Sequence, residues 1–144
     1  GSRPTSDARL TLLLESFGFK QGIPLDADLV FDVRCLPNPH YDPRLRPLTG
    51  RDREVVAFLE QEPQVEKMFR DILDFAESWL PAYERDNRSY FAIAIGCTGG
   101  RHRSVHVAEH LARRLRDAGF SPTITHRDLG AAPQDSLEGP PASK

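Results

Sequence analysis

The chain has 144 residues, a formal net charge of −2, 39% hydrophobic and 28% charged residues, and two cysteines. That length suits one domain able to bury a core, and the near-neutral balance excludes a protein acting mainly through a large basic charge. Cys35 and Cys97 are too few for a disulfide scaffold; no apolar run nears the ~20 residues of a membrane span and no secretory signal is present, so a soluble, cytoplasmic protein is expected.

The opening Gly1-Ser2 reads as a cloning scar, which predicts scar and linker over 1–8, a domain over 9–129 excised from something longer, and a disordered tail over 130–144. Leu10 to Ser16 reads as a first strand, a leucine run ending at Ser16-Phe17-Gly18. Gln21-Gly22-Ile23-Pro24 breaks the pattern, and Ala27 to Arg34 alternates into a second strand around Leu29-Val30-Phe31-Asp32-Val33. Asp32, a carboxylate among apolar neighbours, is either paired with an arginine such as Arg34 or Arg103 or turned towards a site.

Arg34 to Gly50 carries four prolines in seventeen residues, too many for a helix or a central strand, and predicts a long stiff loop. The loop also holds Arg34, Asn38, His40, Arg44 and Arg46, either as a solvated lid or facing a ligand. Arg51 to Gln61 reads as a short helix. Val65, Met68, Phe69, Ile72, Leu73, Ala76, Trp79, Leu80 and Tyr83 then mark an amphipathic helix after Pro63. Tyr90 to Ile95 is apolar enough for a strand buried on both faces, as in a parallel sheet. Val105, Ala108, Leu111, Ala112 and Leu115 recur at helical spacing, with Gly119 where a C-terminal cap belongs. Ser121 to Thr125 reads as a fourth strand, and from Gly130 the chain is too polar to order itself. The expected fold is α/β, a mostly parallel four-stranded sheet with packed helices.

Between the third strand and its helix, Gly96 to Arg103 carries backbone N–H groups aimed along a helix start, where the dipole is positive and the first donors lack partners. Gly99 and Gly100 let a ligand approach the backbone, and Arg101, His102 and Arg103 add donors suited to a phosphate or carboxylate. If the second and third strands are parallel, the proline-rich loop leaves the same sheet edge, and His40 and the arginines face the same anion. Charge is divided as well: six arginines stand against two acids from Cys97 to Arg127, and eight acids against three bases from Glu60 to Asp86.

Two chemistries fit this loop. Cys97, five residues, Arg103 and Ser104 match the Cys-x5-Arg-Ser/Thr loop of cysteine-dependent phosphatases, in which a thiolate attacks phosphorus while the arginine holds the oxygens. Those enzymes need a general acid, which only Asp32 or Asp42 could supply, and Gly96 stands where they commonly carry His. The alternative is binding without turnover. His106 to His110 spells H-x-x-E-H, but without an obvious third ligand segment it reads as a helix face rather than a metal site. Neither G-x-x-x-x-G-K-S/T nor G-x-G-x-x-G occurs, so no nucleotide cofactor is expected within these residues.

With these residues in view, the chain resembles the C-terminal domain of the RNase adapter protein RapZ family. The match runs through Phe31-Asp32-Val33-Arg34, Leu36-Pro37-Asn38-Pro39-His40, Leu48-Thr49-Gly50, Asn87-Arg88-Ser89-Tyr90, Ala94-Ile95-Gly96-Cys97-Thr98-Gly99-Gly100, His102-Arg103-Ser104 and His126-Arg127, and covers about Leu10 to Leu129. The resemblance implies a missing N-terminal P-loop domain that binds nucleotide, and here a sensor of glucosamine-6-phosphate. It also implies binding of small regulatory RNA, its presentation to RNase E in control of amino-sugar synthesis, and a homo-oligomer. Cys97, Thr98, Gly99, Gly100, His102, Arg103 and Ser104 would surround the phosphate, with Asp32, Arg34 and His40 closing from the proline-rich loop. Arg46, Arg113, Arg114, Arg116 and Arg127 are the candidate RNA contacts. The enteric members carry a lysine-arginine cluster after the stretch matching His126-Arg127, and this chain has none, so ligand sensing ranks above RNA adapter work.

Overall fold

Residues 10–130 are described by a computed structural model. They hold four strands, β1 (Thr11–Gly18), β2 (Leu29–Asp32), β3 (Tyr90–Cys97) and β4 (Thr123–His126), and three α-helices, α1 (Arg53–Glu60), α2 (Pro63–Arg85) and α3 (Arg103–Asp117), in the order β1-β2-α1-α2-β3-α3-β4. The sheet order is β2-β3-β1-β4 and every pairing is parallel, as the apolar third strand predicted.

Register explains the core. Leu12 and Leu14 of β1 lie opposite Phe91 and Ile93 of β3, and all four join Ile72, Ala76 and Leu80 of α2 and Ala108, Leu111 and Leu115 of α3 in one cluster. Full burial of such side chains stabilises by about 1.5–3 kcal/mol each. Alternate residues point to the other face, where Phe17 and Ala94 are buried outside that cluster. β3 is thus buried on both faces, but among the described residues the helices pack on one. Over the second face the Phe17 and Phe19 rings sit on Gly96, where a Cβ would come within 2.4 Å of the Phe17 ring. That packing is the reason a glycine, not a histidine, precedes Cys97.

Most element boundaries differ from expectation by a residue or two. β1 continues past Ser16 because Phe17 and Gly18 pair with Gly96 and Cys97. β4 begins at Thr123 and reaches His126, which pairs with Ser16. β2 ends at Asp32, and α1 starts at Arg53, preceded by a turn in which Asp52 Oδ2 accepts from Thr49 N at 2.8 Å. α2 is longer than its apolar stripe, running 23 residues through Pro81. α3 ends as predicted: Gly119 takes φ 97°, and Phe120 N–H returns to Leu115 O at 3.0 Å. The expected scar and linker over 1–8, and the tail beyond Gly130, lie outside the described residues.

Candidate anion site

Since all four strands run the same way, the segments leaving their carboxyl ends gather at one side of the sheet: 19–21 after β1, 33–50 after β2, 98–102 after β3 and 127–130 after β4. β1 reaches the glycine turn directly, with Lys20 N–H donating to Thr98 O at 3.1 Å. Gly100 adopts φ 78°, and a Cβ there would meet Gly18 N at 2.5 Å, while one at Gly18 would meet the Gly99 carbonyl carbon at 2.5 Å. The two backbones touch because neither carries a side chain.

Arg103, the first residue of α3, is 4% exposed. Its Nη1 donates to Arg34 O at 2.7 Å and Leu36 O at 2.9 Å, so it braces the start of the proline-rich loop, and its Nη2 approaches Thr98 Oγ1 at 3.4 Å. Its Nε is buried without a partner, as is Nη1 of Arg101, whose Nη2 donates to Pro47 O at 3.2 Å. Cys97, 2% exposed, donates its thiol hydrogen to Ser104 Oγ at 3.1 Å. His102 Nε2 donates to Leu45 O at 3.1 Å, and burial lowers its pKa, so the neutral ring holds the loop. Gly50 N–H donates to Arg101 O at 2.8 Å and anchors the loop's far end.

Asp32 is paired with Arg34, one of the two alternatives its position allowed. Arg34 grips it with Nε at 3.0 Å and Nη2 at 2.7 Å, and lies 3.8 Å over the Phe19 ring. The Arg34 side-chain hydrogen bond lowers the Asp32 pKa, and Arg103 is near enough to add to the effect. His40 is exposed; desolvation lowers its pKa first, then the charges of Arg46, Lys20 and Arg103. Asp32, Arg34, His40, Thr98 and Arg103 are therefore brought together, joined by Lys20 and Phe19, which sequence reasoning passed over. The signal available was Phe17-Gly18-Phe19-Lys20, a glycine between aromatics at a strand end.

Comparison with known proteins decides the family. A family model described as the RapZ C-terminal domain matches residues 10–130. The chain belongs to the RapZ C-terminal domain family. Similar curated proteins include a nucleotide-binding protein of Azoarcus sp. (strain BH72), 62% identical over 92% of this chain and 44% of its own length. Others, from Dechloromonas aromatica (strain RCB) and Aromatoleum aromaticum (strain DSM 19018 / LMG 30748 / EbN1), are 67% and 66% identical over 83% and 75% of the chain, and over 42% and 37% of their own lengths. This RapZ-type chain thus spans less than half the length of these curated relatives.

The remaining candidates of the RapZ-type domain lie apart from the glycine turn or are otherwise engaged. Arg113, Arg114 and Arg116 are exposed towards the end of α3, Arg116 donating to Pro122 O at 3.2 Å. Arg46 Nε donates to His40 O at 2.8 Å, whereas Arg127 is taken up by Asp128 and the Gly18 carbonyl. The members of H-x-x-E-H diverge: His110 stacks on Phe69 at 3.7 Å, while Glu109 Oε2 accepts from His126 Nε2 at 2.7 Å. His126 Nδ1 in turn meets the buried Ser16 Oγ at 2.7 Å. Among the described residues no helix is long and apolar enough to cross a membrane.

Proposed function

We propose that this domain is a metabolite-sensing regulatory module that binds glucosamine-6-phosphate without turning it over. The observation that carries the reading is Arg103: a buried guanidinium whose hydrogen bonds go to two carbonyls and a hydroxyl, with Nε unused. Asp32 is near enough to feel this charge, but among the described residues no carboxylate bonds it directly, and a buried cation so placed is costly unless an anion arrives. A phosphate at the start of α3 would take up this charge together with the N–H groups of the glycine turn. Asp32 is a half-exposed carboxylate at this cationic mouth that can accept from an ammonium, and its pairing with Arg34 makes recognition an exchange. The phosphate competes for Arg34 while the amine competes for Asp32, which favours a ligand carrying both groups over a neutral sugar phosphate.

Two features weigh against the phosphatase alternative. The possible general acids, Asp32 and Asp42, both have lowered pKa values, because Arg34 and Arg44 donate to their ionised carboxylates. Such groups are deprotonated at neutral pH and hold no proton for a leaving group. The Cys97 thiol, moreover, is buried and spends its hydrogen on Ser104.

By family, the sensor acts in a regulatory protein that binds small regulatory RNA and presents it to RNase E, as a homo-oligomer in the cytoplasm. Nucleotide binding, which the names of the relatives state for them, is assigned in this reading to the part of those proteins that this chain does not span. Arg113, Arg114 and Arg116 offer a phosphate-contacting surface for such RNA. The test is calorimetric titration of the domain with glucosamine-6-phosphate, glucose-6-phosphate and inorganic phosphate, with release of phosphate assayed in the same samples. Selective binding of the amino sugar without release is expected. Equal binding of all three reduces the site to a general anion cradle, and phosphate release replaces the sensor by an enzyme.

A further inference from the structure

Gly18 is held at both of its polar backbone atoms by the pair of residues after β4. Its N–H donates to Asp128 Oδ2 at 2.6 Å, and its carbonyl accepts from Arg127 Nη2 at 3.3 Å. Arg127 also holds Asp128, with Nε 3.2 Å from Oδ1 and Nη2 3.0 Å from Oδ2. Asp128 is only 6% exposed, so its carboxylate has given up water for these contacts. The register of β4 against β1 aims the pair, since Ser16 lies opposite His126 and Arg127 N–H donates to Ser16 O at 3.0 Å.

The other side of Gly18 is the glycine turn. Gly99 and Gly100 close onto its backbone near enough that a Cβ on Gly18 or Gly100 would collide with it. A turn of two glycines has no side chains with which to hold itself, so its conformation must be imposed by what it rests on. It rests on Gly18, and Gly18 is fixed by Asp128.

We propose that Asp128 is a positioning residue for the anion loop: through Gly18 it sets the placement of Gly99 and Gly100, and so the direction in which the loop's N–H groups point. The proposal rests on the sugar-phosphate reading of that loop. Its chemistry favours a carboxylate, because the side chain must accept from both Gly18 N–H and Arg127. An amide with its oxygen in the Oδ2 place still accepts from Gly18 N–H and Arg127 Nη2 but turns its NH2 on Arg127 Nε, and an alanine accepts from none of them.

The test uses the 144-residue chain with Asp128→Ala, Asp128→Asn and a control, Leu80→Ala. Leu80 is buried in α2 near the opposite end of the sheet, where Tyr83 stacks on Phe91 at 4.1 Å. Each variant is titrated with glucosamine-6-phosphate and with inorganic phosphate at a temperature where all are folded, and the Gly99 and Gly100 amide resonances are followed by NMR. Asp128→Ala is expected to weaken both ligands about tenfold or more, as misplaced donors do, with Asp128→Asn between it and the parent. Leu80→Ala is expected to bind as the parent does despite a lower melting temperature, and only the Asp128 variants should displace the two glycine amides. Unchanged affinity in Asp128→Ala, or lost affinity with unmoved amides, overturns the proposal. Should the parent bind neither probe, the sugar-phosphate reading has failed and the amides alone decide: displaced resonances uphold the clamp and unmoved ones overturn it.

Discussion

Arg103→Ala tests the structural and the functional half of the site together. Truncation leaves the carbonyls of Arg34 and Leu36 without the Nη1 hydrogen bonds at 2.7 and 2.9 Å that satisfy them. A buried carbonyl left unpaired costs about 1–3 kcal/mol, and the part-buried Arg34 carbonyl less, so the pair costs roughly 2–5 kcal/mol. Part of that is offset because a charge no longer has to be kept out of water, and a net loss of about 2–4 kcal/mol in urea unfolding is the expected result. The ligand loses more, since two charge-assisted hydrogen bonds to phosphate, at about 1.5–3 kcal/mol each, correspond to a fall in affinity of at least ~100-fold. Arg103→Lys separates geometry from charge. One ammonium cannot span two carbonyls, Thr98 and a phosphate, so it should recover part of the stability and little of the binding. An Arg103→Ala protein that is folded and binds glucosamine-6-phosphate with parental affinity would refute the pocket, and a stability loss under about 0.5 kcal/mol would refute the brace.

The other predictions are more local. Gly100→Ala forces a Cβ to within 2.5 Å of Gly18 N at φ 78°; it should destabilise by about 2–4 kcal/mol and weaken anion binding, and a neutral result in thermal unfolding would contradict the close approach. His106, 3% exposed, is held down to about 4 by burial, ahead of the charges of His110 and Arg113. Its folded pKa lies below its unfolded value, so the unfolded chain binds the extra proton and stability falls as pH drops from about 6.5 to 4, by roughly 3 kcal/mol for this group. Urea midpoints across that range, compared with His106→Phe, would show the slope reduced in the variant, the remainder coming from His40, His102 and His110, whose pKa values are lowered as well. Cys97→Ser should keep ligand affinity within about threefold, because the hydroxyl can still reach Ser104; phosphate release by the parent that disappears in this variant would reverse the ranking of sensor over phosphatase. RNA binding should fall steeply with salt and further in Arg113→Ala/Arg114→Ala, and a salt-independent complex would contradict phosphate contacts as its source.

How far the site was legible depends on sequence distance. The run from Gly96 to Ser104 announced itself, because strand, glycine pair, cations and helix follow one another within a dozen residues and each has a local physical meaning. The parallel sheet was equally readable from the lack of polar relief in Tyr90 to Ile95. What Arg103 does with Nη1 was not, since its partners at Arg34 and Leu36 lie 69 and 67 residues away and are backbone atoms that carry no composition signal. The grip of Asp128 on Gly18, 110 residues apart, was hidden for the same reason. His102 adds a role that its place in the glycine turn did not announce: its Nε2 donates to Leu45 O, because burying the ring costs least when it stays neutral and bonded to a carbonyl. Asp32 stood between the two cases, its partner correctly among the alternatives but not singled out.

The central place of β1 in the sheet has a consequence for how the chain is made. Thr11 to Gly18 is the first of these four strands to be synthesised, and its neighbours are β3 and β4, so Thr11 waits about 80 residues for Tyr90. At roughly 5–20 residues per second that interval is several seconds, during which a leucine-rich strand has both edges unpaired. α2 can form meanwhile from local contacts alone. Slowing synthesis between Arg85 and Tyr90 should therefore raise aggregation of the nascent chain, while the same pause after His126, when the sheet can close, should not.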